Sequence, residues 1–182
     1  MAEKRLKKRT TVWLCVTALF MAINIVMSMS IFSIPVPGGH LYLNDIIICV
    51  ASILLDPFGA FMVGGVGAFL GDFFFYPPPM IVSYITHGLQ AVAISLISHY
   101  TLKKHPAVAS GIGVTVGAVI MIAGYSIGRA FFYASPGAEP SVATALTKLP
   151  FQILLAGVGA VLAMIICWKF GIRKLFNKLM EK

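Results

Sequence analysis

Five long apolar runs, at residues 11–32, 58–75, 80–102, 107–134 and 142–169, constrain this 182-residue chain more than any other feature. Crossing the hydrocarbon core of a bilayer takes about 20 helical residues, and each run reaches or approaches that length. Inside hydrocarbon a backbone must satisfy its own hydrogen bonds, which such runs do as helices. The composition agrees: 59% of residues are hydrophobic, 11% are charged and the mean hydropathy is +0.92, whereas a soluble domain carries about 25% charged residues. The expectation is an all-α integral membrane protein, one membrane domain over residues 1–182.

A sixth crossing is hidden in residues 43–55, "LNDIIICVASILL", which stop at Asp56-Pro57. Proline lacks the amide donor and restricts the residue before it, so a helix ends there. Length leaves this segment open; charge decides it, because short cytoplasmic loops hold the excess of Lys and Arg. If 43–55 crosses, the amino-terminal cluster (Lys4, Arg5, Lys7, Lys8, Arg9), Lys103 and Lys104, and the carboxy-terminal cluster (Lys169, Arg173, Lys174, Lys178, Lys182) share one side, twelve of the fourteen cations. A single crossing over 43–75 would put the central loop and the tail opposite the amino terminus. The reading is therefore a bundle of six transmembrane helices, approximately 11–32, 43–55, 58–75, 80–102, 107–134 and 142–169, with both termini cytoplasmic. A cleaved signal peptide over residues 1–32 is the rival, but the apolar run is too long and no small-x-small cleavage site follows it. The formal charge of +8 thus reads as a topology signal and not as a nucleic-acid surface.

The outer loops are short and rich in proline: "SIPVPGGHLYL" from residue 33, "YPPPM" from 76 and "ASPGAEPS" from 134. Around them gather the polar residues that hydrocarbon tolerates least: Asn44, Asp45, Asp72, His87, Gln90, Arg129, Lys148 and Gln152. A charge at mid-helix costs about 2.5 to 3.5 kcal/mol on insertion scales, so such a gathering marks a shared pocket or an ion-paired cluster. The first outer loop is expected to cover it as a lid. Individual members have simpler readings: Asp45 as a helix cap, Asp72 with Arg129 as a structural ion pair, Lys148 reaching to the interface, His87 as a packing residue joined by Gln90 one turn on.

Small residues four apart (Ala18 and Ala22, Gly67 and Gly71, Gly113 and Gly117, Gly124 and Gly128, Ala156 and Ala160) let helix backbones approach closely. Most serve packing within the bundle; Ala18 and Ala22, on the first helix, form a stripe on which another membrane subunit could dock. Cys15, Cys49 and Cys167 sit singly in apolar runs as small core residues. No P-loop, nucleophile elbow, His-Glu-x-x-His or other catalytic or cofactor motif is present, so neither an enzyme nor a metal or cofactor is expected. No inverted repeat is evident, and energy for moving a solute would come from partners.

The basic amino terminus, Ala18 and Ala22 in the first helix, the Pro/Gly-rich outer loop and "DPFGAFMVGGVGAFLGDFF" at residues 56–74 together resemble the substrate-binding S component of an energy-coupling factor (ECF) vitamin transporter, over the whole chain. The pattern at residues 59–73 and the following "ITHGLQ" are most similar to the hydroxymethylpyrimidine and pyridoxine (HmpT-like) type. The resemblance implies a subunit of the bacterial plasma membrane that captures a vitamin from outside, joins a transmembrane coupling subunit and two cytoplasmic ATPases, and topples to carry the ligand inward. Ala18 and Ala22 would dock the coupling subunit. The pocket would draw on His40, Tyr42, Tyr84, His87, Gly88, Gln90, Tyr125, Arg129, Lys148 and Gln152. Those groups suit a small heteroaromatic ligand with hydroxyls, stacked on Tyr84 and Tyr125; riboflavin, thiamine or pantothenate would use the same ingredients. A membrane assembly protein whose polar cluster ties helices together is the reading from another class, and an intramembrane enzyme the third.

Overall fold

The computed structural model describes the backbone of residues 2–29, 33–36, 39–134 and 139–181, and the side chains of 10–29, 42–134 and 139–180. The chain enters as α1 (Ala2–Met27), followed by a hairpin of β1 (Ser33–Val36) and β2 (Gly39–Tyr42). Then come α2 (Asn44–Leu54), α3 (Pro57–Phe75), α4 (Met80–Tyr100), α5 (Pro106–Phe131), α6 (Val142–Lys169) and α7 (Ile172–Glu181). Five of these, α1, α3, α4, α5 and α6, are long and apolar enough to cross a membrane; α2 is an apolar helix of 11 residues.

Three features depart from the expected outline. The first helix covers Ala2–Met27 instead of 11–32. The segment after α1 forms an antiparallel hairpin with Ser33 opposite Tyr42 and Val36 opposite Gly39, a short addition to an otherwise all-helical bundle; Pro35 is tolerated because a two-stranded ribbon has free edges. Of the carboxy-terminal cations, Arg173, Lys174 and Lys178 lie on a separate helix, α7, which Gly171 makes possible by taking the left-handed φ of +73° after α6.

Local chemistry sets most boundaries. Asp56 ends the α2 region and caps α3, its carboxylate accepting from the Phe58 amide at 3.3 Å, with Pro57 in the first turn. Pro106 opens α5 in the same way, and Ser141 caps α6 by accepting from the Thr144 amide at 3.2 Å. Both α3 and α6 contain one π-helical turn, at Met62–Val66 and Ile165–Lys169.

The core is built around α2. Ile48, Ala51 and Ile53 have no exposed surface, and Cys49, Val50, Leu54 and Leu55 have almost none; Val63, Ile94, Val114, Ala163 and Cys167 close around them. The small-residue pairs hold the other helices against this centre. A methyl group on Gly71 would stand 2.5 Å from Ser28 Oγ just past α1, and one on Gly117 2.5 Å from Ile94 Cγ1 of α4, so both glycines are required by close approach. Buried Asn24 on α1 donates from Nδ2 to the Val63 carbonyl of α3 at 2.7 Å. Ala18 and Ala22 lie on the opposite, exposed face of α1 with Leu14, Leu19 and Val26.

Candidate functional site

At the end of the bundle remote from α7 lies a cavity of about 690 Å³, counted to its open mouth. Helical spacing builds its walls, since residues four apart share a face. From α3 and the turn beyond it come Ala68, Asp72 and Tyr76; from α5, Met121, Tyr125, Arg129 and Tyr133; from α6, Lys148, Gln152 and Leu155. The first turn of α2 supplies Asn44 and Asp45, α4 supplies His87, Pro79 stands at the mouth, and Tyr42 reaches in from the hairpin. The hairpin therefore borders the cavity as the expected lid would.

Two hydrogen-bonded relays hold these walls in place. Gln90 is fully buried behind His87 and donates from Nε2 to Asp45 Oδ1 at 2.6 Å, while its Oε1 meets His87 Nδ1 at 2.7 Å. With the amide so oriented, Oε1 accepts and His87 Nδ1 carries the proton; in a neutral ring Nε2 is then left as an acceptor. In the second relay Ser83 Oγ donates to Asp72 Oδ2 and Tyr125 OH lies 2.6 Å from the same Oγ, so the phenol is the donor to serine. Tyr125 also meets the His87 ring edge-on, 5.2 Å between centroids, which joins the relays. Above them Arg129 Nη2 donates to Tyr133 OH at 2.9 Å and the guanidinium lies 5.2 Å from that ring's centre.

At the mouth, burial and the nearby Asp72 push the Tyr42 phenol up to about 12, and burial holds Tyr133 at about 12 against the lowering effect of Arg129. Both remain protonated donors across the physiological range. On α6, Lys148 and Gln152 are buried, and Gln152 Oε1 has no hydrogen-bond donor among the described residues. Pro150, between them, has no amide to return to the carbonyl four residues back.

Of the residues expected from the sequence, the cavity wall includes Tyr42, His87, Tyr125, Arg129, Lys148 and Gln152. Gln90 stands behind the wall and acts through its two partners. Tyr84 is elsewhere: it is 37% exposed and packs edge-on against Phe61 and Phe69 on the outer surface, because it is its neighbour Ser83 that faces inward. Gly88 likewise packs on Phe61. His40 is in β2, opposite Pro35, but its side chain lies outside the described residues. Asp45 is no cap: Leu43 precedes the helix without a side-chain cap bond, and the carboxylate goes to Gln90. Lys148 does not reach to the interface, being 2% exposed in the wall. Tyr76 and Pro79, which lie within the proline-rich stretch 76–80, and Tyr133, which precedes the one from 134, were missed. Among the described residues no three His, Cys, Asp or Glu side chains gather to hold a metal.

A partly enclosed cavity with polar side chains in its wall, inside a bundle of helices long and apolar enough to cross a membrane, marks a multi-pass membrane protein. The family model "ECF-type riboflavin transporter, S component" matches residues 8–171, and the chain belongs to that family. Among solved structures it is similar to one described as "Structure and mechanism of the S component of a bacterial ECF transporter", with 19% sequence identity, 98% of this chain and 99% of that chain covered, and a TM-score of 0.60. No curated protein matches.

Proposed function

We propose that this chain is the solute-capturing subunit of an ATP-driven vitamin importer and takes a neutral, hydroxylated nitrogen heterocycle, riboflavin first. Gln152 carries the reading: it belongs to the cavity wall, and its Oε1 is buried without a hydrogen-bond donor among the described residues, which is destabilising by about 1–3 kcal/mol unless something else supplies one; a ligand N–H or O–H bound beside it would do so. Formal charge narrows the class. Asp45 and Asp72 face Arg129 and Lys148 across one cavity, so a neutral ligand leaves the wall balanced, whereas cationic thiamine or anionic pantothenate would add an uncompensated charge. Tyr42, Tyr125 and Tyr133 offer aromatic faces and hydroxyls. Riboflavin comes first because the matching family model is that of riboflavin transporters. Hydroxymethylpyrimidine or pyridoxine is the second reading, supported by the glycine pattern at residues 59–73 and "ITHGLQ".

Within this reading α2 is the sixth crossing, both termini are cytoplasmic, and the membrane is the bacterial plasma membrane. The exposed stripe of Ala18 and Ala22 on α1 receives the coupling subunit, which carries two ATPases. Calorimetric titration of the purified chain with riboflavin, pyridoxine, hydroxymethylpyrimidine, thiamine and pantothenate tests the proposal. Binding of a neutral heterocycle, weakened about fivefold or more by Gln152→Ala, supports it. A folded protein that binds none of them refutes it in favour of an assembly role.

A further inference from the structure

The match to the family model ends at residue 171, immediately before α7 begins. At 100° per residue, Ile172, Leu175, Phe176, Leu179 and Met180 share one face of this helix, and Lys174, Asn177 and Lys178 occupy the other. The bundle covers part of the apolar face. Phe176 is buried, and Ile172 and Met180 pack partly buried against the core, but Leu175 and Leu179 are 55% and 47% exposed. Rolling the helix to bury them is prevented by Arg173. Its Nη1 donates to Ser110 Oγ at 2.9 Å, its Nη2 to the Ser98 carbonyl at 3.3 Å, and its guanidinium lies 5.0 Å from the centre of the Trp168 ring. The helix is thus fastened across the ends of α4 and α5 with a leucine pair one turn apart facing out and a lysine pair, Lys174 and Lys178, on the adjoining ridge.

We propose that α7 is an interfacial helix that binds anionic phospholipid of the surrounding leaflet, with Leu175 and Leu179 among the acyl chains and Lys174 and Lys178 on the phosphates. Charge complementarity points to this occupant: exposed Lys103, Lys104 and Lys169 share that end of the bundle, while the Asp56 carboxylate there is engaged by Trp13 Nε1 at 2.5 Å and by its own cap. The leucine pair excludes a free phosphate, which would leave it in water; a lipid satisfies both ridges at once. Each lysine near such a surface is worth about a fivefold preference for an anionic lipid.

The test uses the full chain in nanodiscs, carrying Leu179→Cys labelled with bimane in a Cys15→Ser background, Cys49 and Cys167 being buried. Brominated phosphatidylglycerol in a phosphatidylcholine host is compared with brominated phosphatidylcholine at equal mole fraction and equal total charge. Stronger quenching by the brominated phosphatidylglycerol, with the difference lost in Lys174→Gln/Lys178→Gln, is the expected result. Equal quenching by both lipids overturns the anionic preference. No quenching by either overturns the placement and makes α7 a water-facing surface for a protein partner.

Discussion

Replacing Gln90 with leucine should weaken ligand binding although Gln90 has no place in the cavity wall. It is fully buried and joins α2 to α4 by linking Asp45 Oδ1 to His87 Nδ1. Leucine fills nearly the same volume, so the change removes two hydrogen bonds and little packing. In water the loss would be counted at about 1–3 kcal/mol for each partner left unsatisfied. In a bilayer the measured interhelical bonds are smaller, averaging about 0.6 and reaching about 1.7 kcal/mol, because the alternative state also finds partners. The membrane figure applies here, and at 1.4 kcal/mol per decade it corresponds to about three- to sixteen-fold in dissociation constant. Calorimetry on the purified chain measures it. The decisive comparison is Gln90→Leu introduced into His87→Ala/Asp45→Ala, where no buried partner remains to be stranded. There it should cost nothing further, and the triple variant should melt at or above the temperature of Gln90→Leu alone. Losses that add fully across these backgrounds would refute the claim that Gln90 works through its two partners.

Tyr84→Leu should leave affinity within twofold, by the same titration, since the ring lies outside the cavity. Gly117→Ala, which places a methyl 2.5 Å from buried Ile94, should lower stability by about 1–3 kcal/mol in detergent melts, whereas Gly157→Ala, with nothing within 4 Å, should cause no loss. An impermeant thiol reagent applied from outside to the Cys15→Ser protein should label Glu139→Cys and not His105→Cys; both positions are exposed, so equal labelling would sink the six-crossing topology. Leucines at Ala18 and Ala22 should reduce copurification with the coupling subunit and its ATPases while leaving ligand titration unchanged.

How far the sequence reached depended on which physical signal each residue leaves. Asp56-Pro57 marked the end of α2 through backbone chemistry that needs no tertiary context. The polar residues of the outer half converged because hydrocarbon permits them few other places. Rotation about a helix axis is set by neighbours, and it put Ser83 inside and Tyr84 outside where composition alone preferred the aromatic. Asp45 had one local reading, as a helix cap, and the approach of Gln90 from a helix forty-five residues on overrides it. The hairpin was obscured because Pro35 and Gly39 carry turn signals as strongly as strand signals. In α7 the cations drew attention from the apolar face beneath them.

The shortness of α2 has a bearing on permeability. Eleven residues rise about 16 Å, roughly half the hydrocarbon thickness, and Asp45, at the start of α2, lines the cavity. Below it Ile48, Ala51 and Ile53 are sealed from solvent, Ser52 spends its hydroxyl on the Ile48 carbonyl at 2.6 Å, and Ser95 closes the end by donating to the Leu55 carbonyl at 2.7 Å. Together these residues make a densely packed, largely apolar stem beneath the cavity. Vesicles holding this subunit alone should therefore retain a trapped dye as well as empty ones; faster leakage would show that the stem beneath the cavity is open.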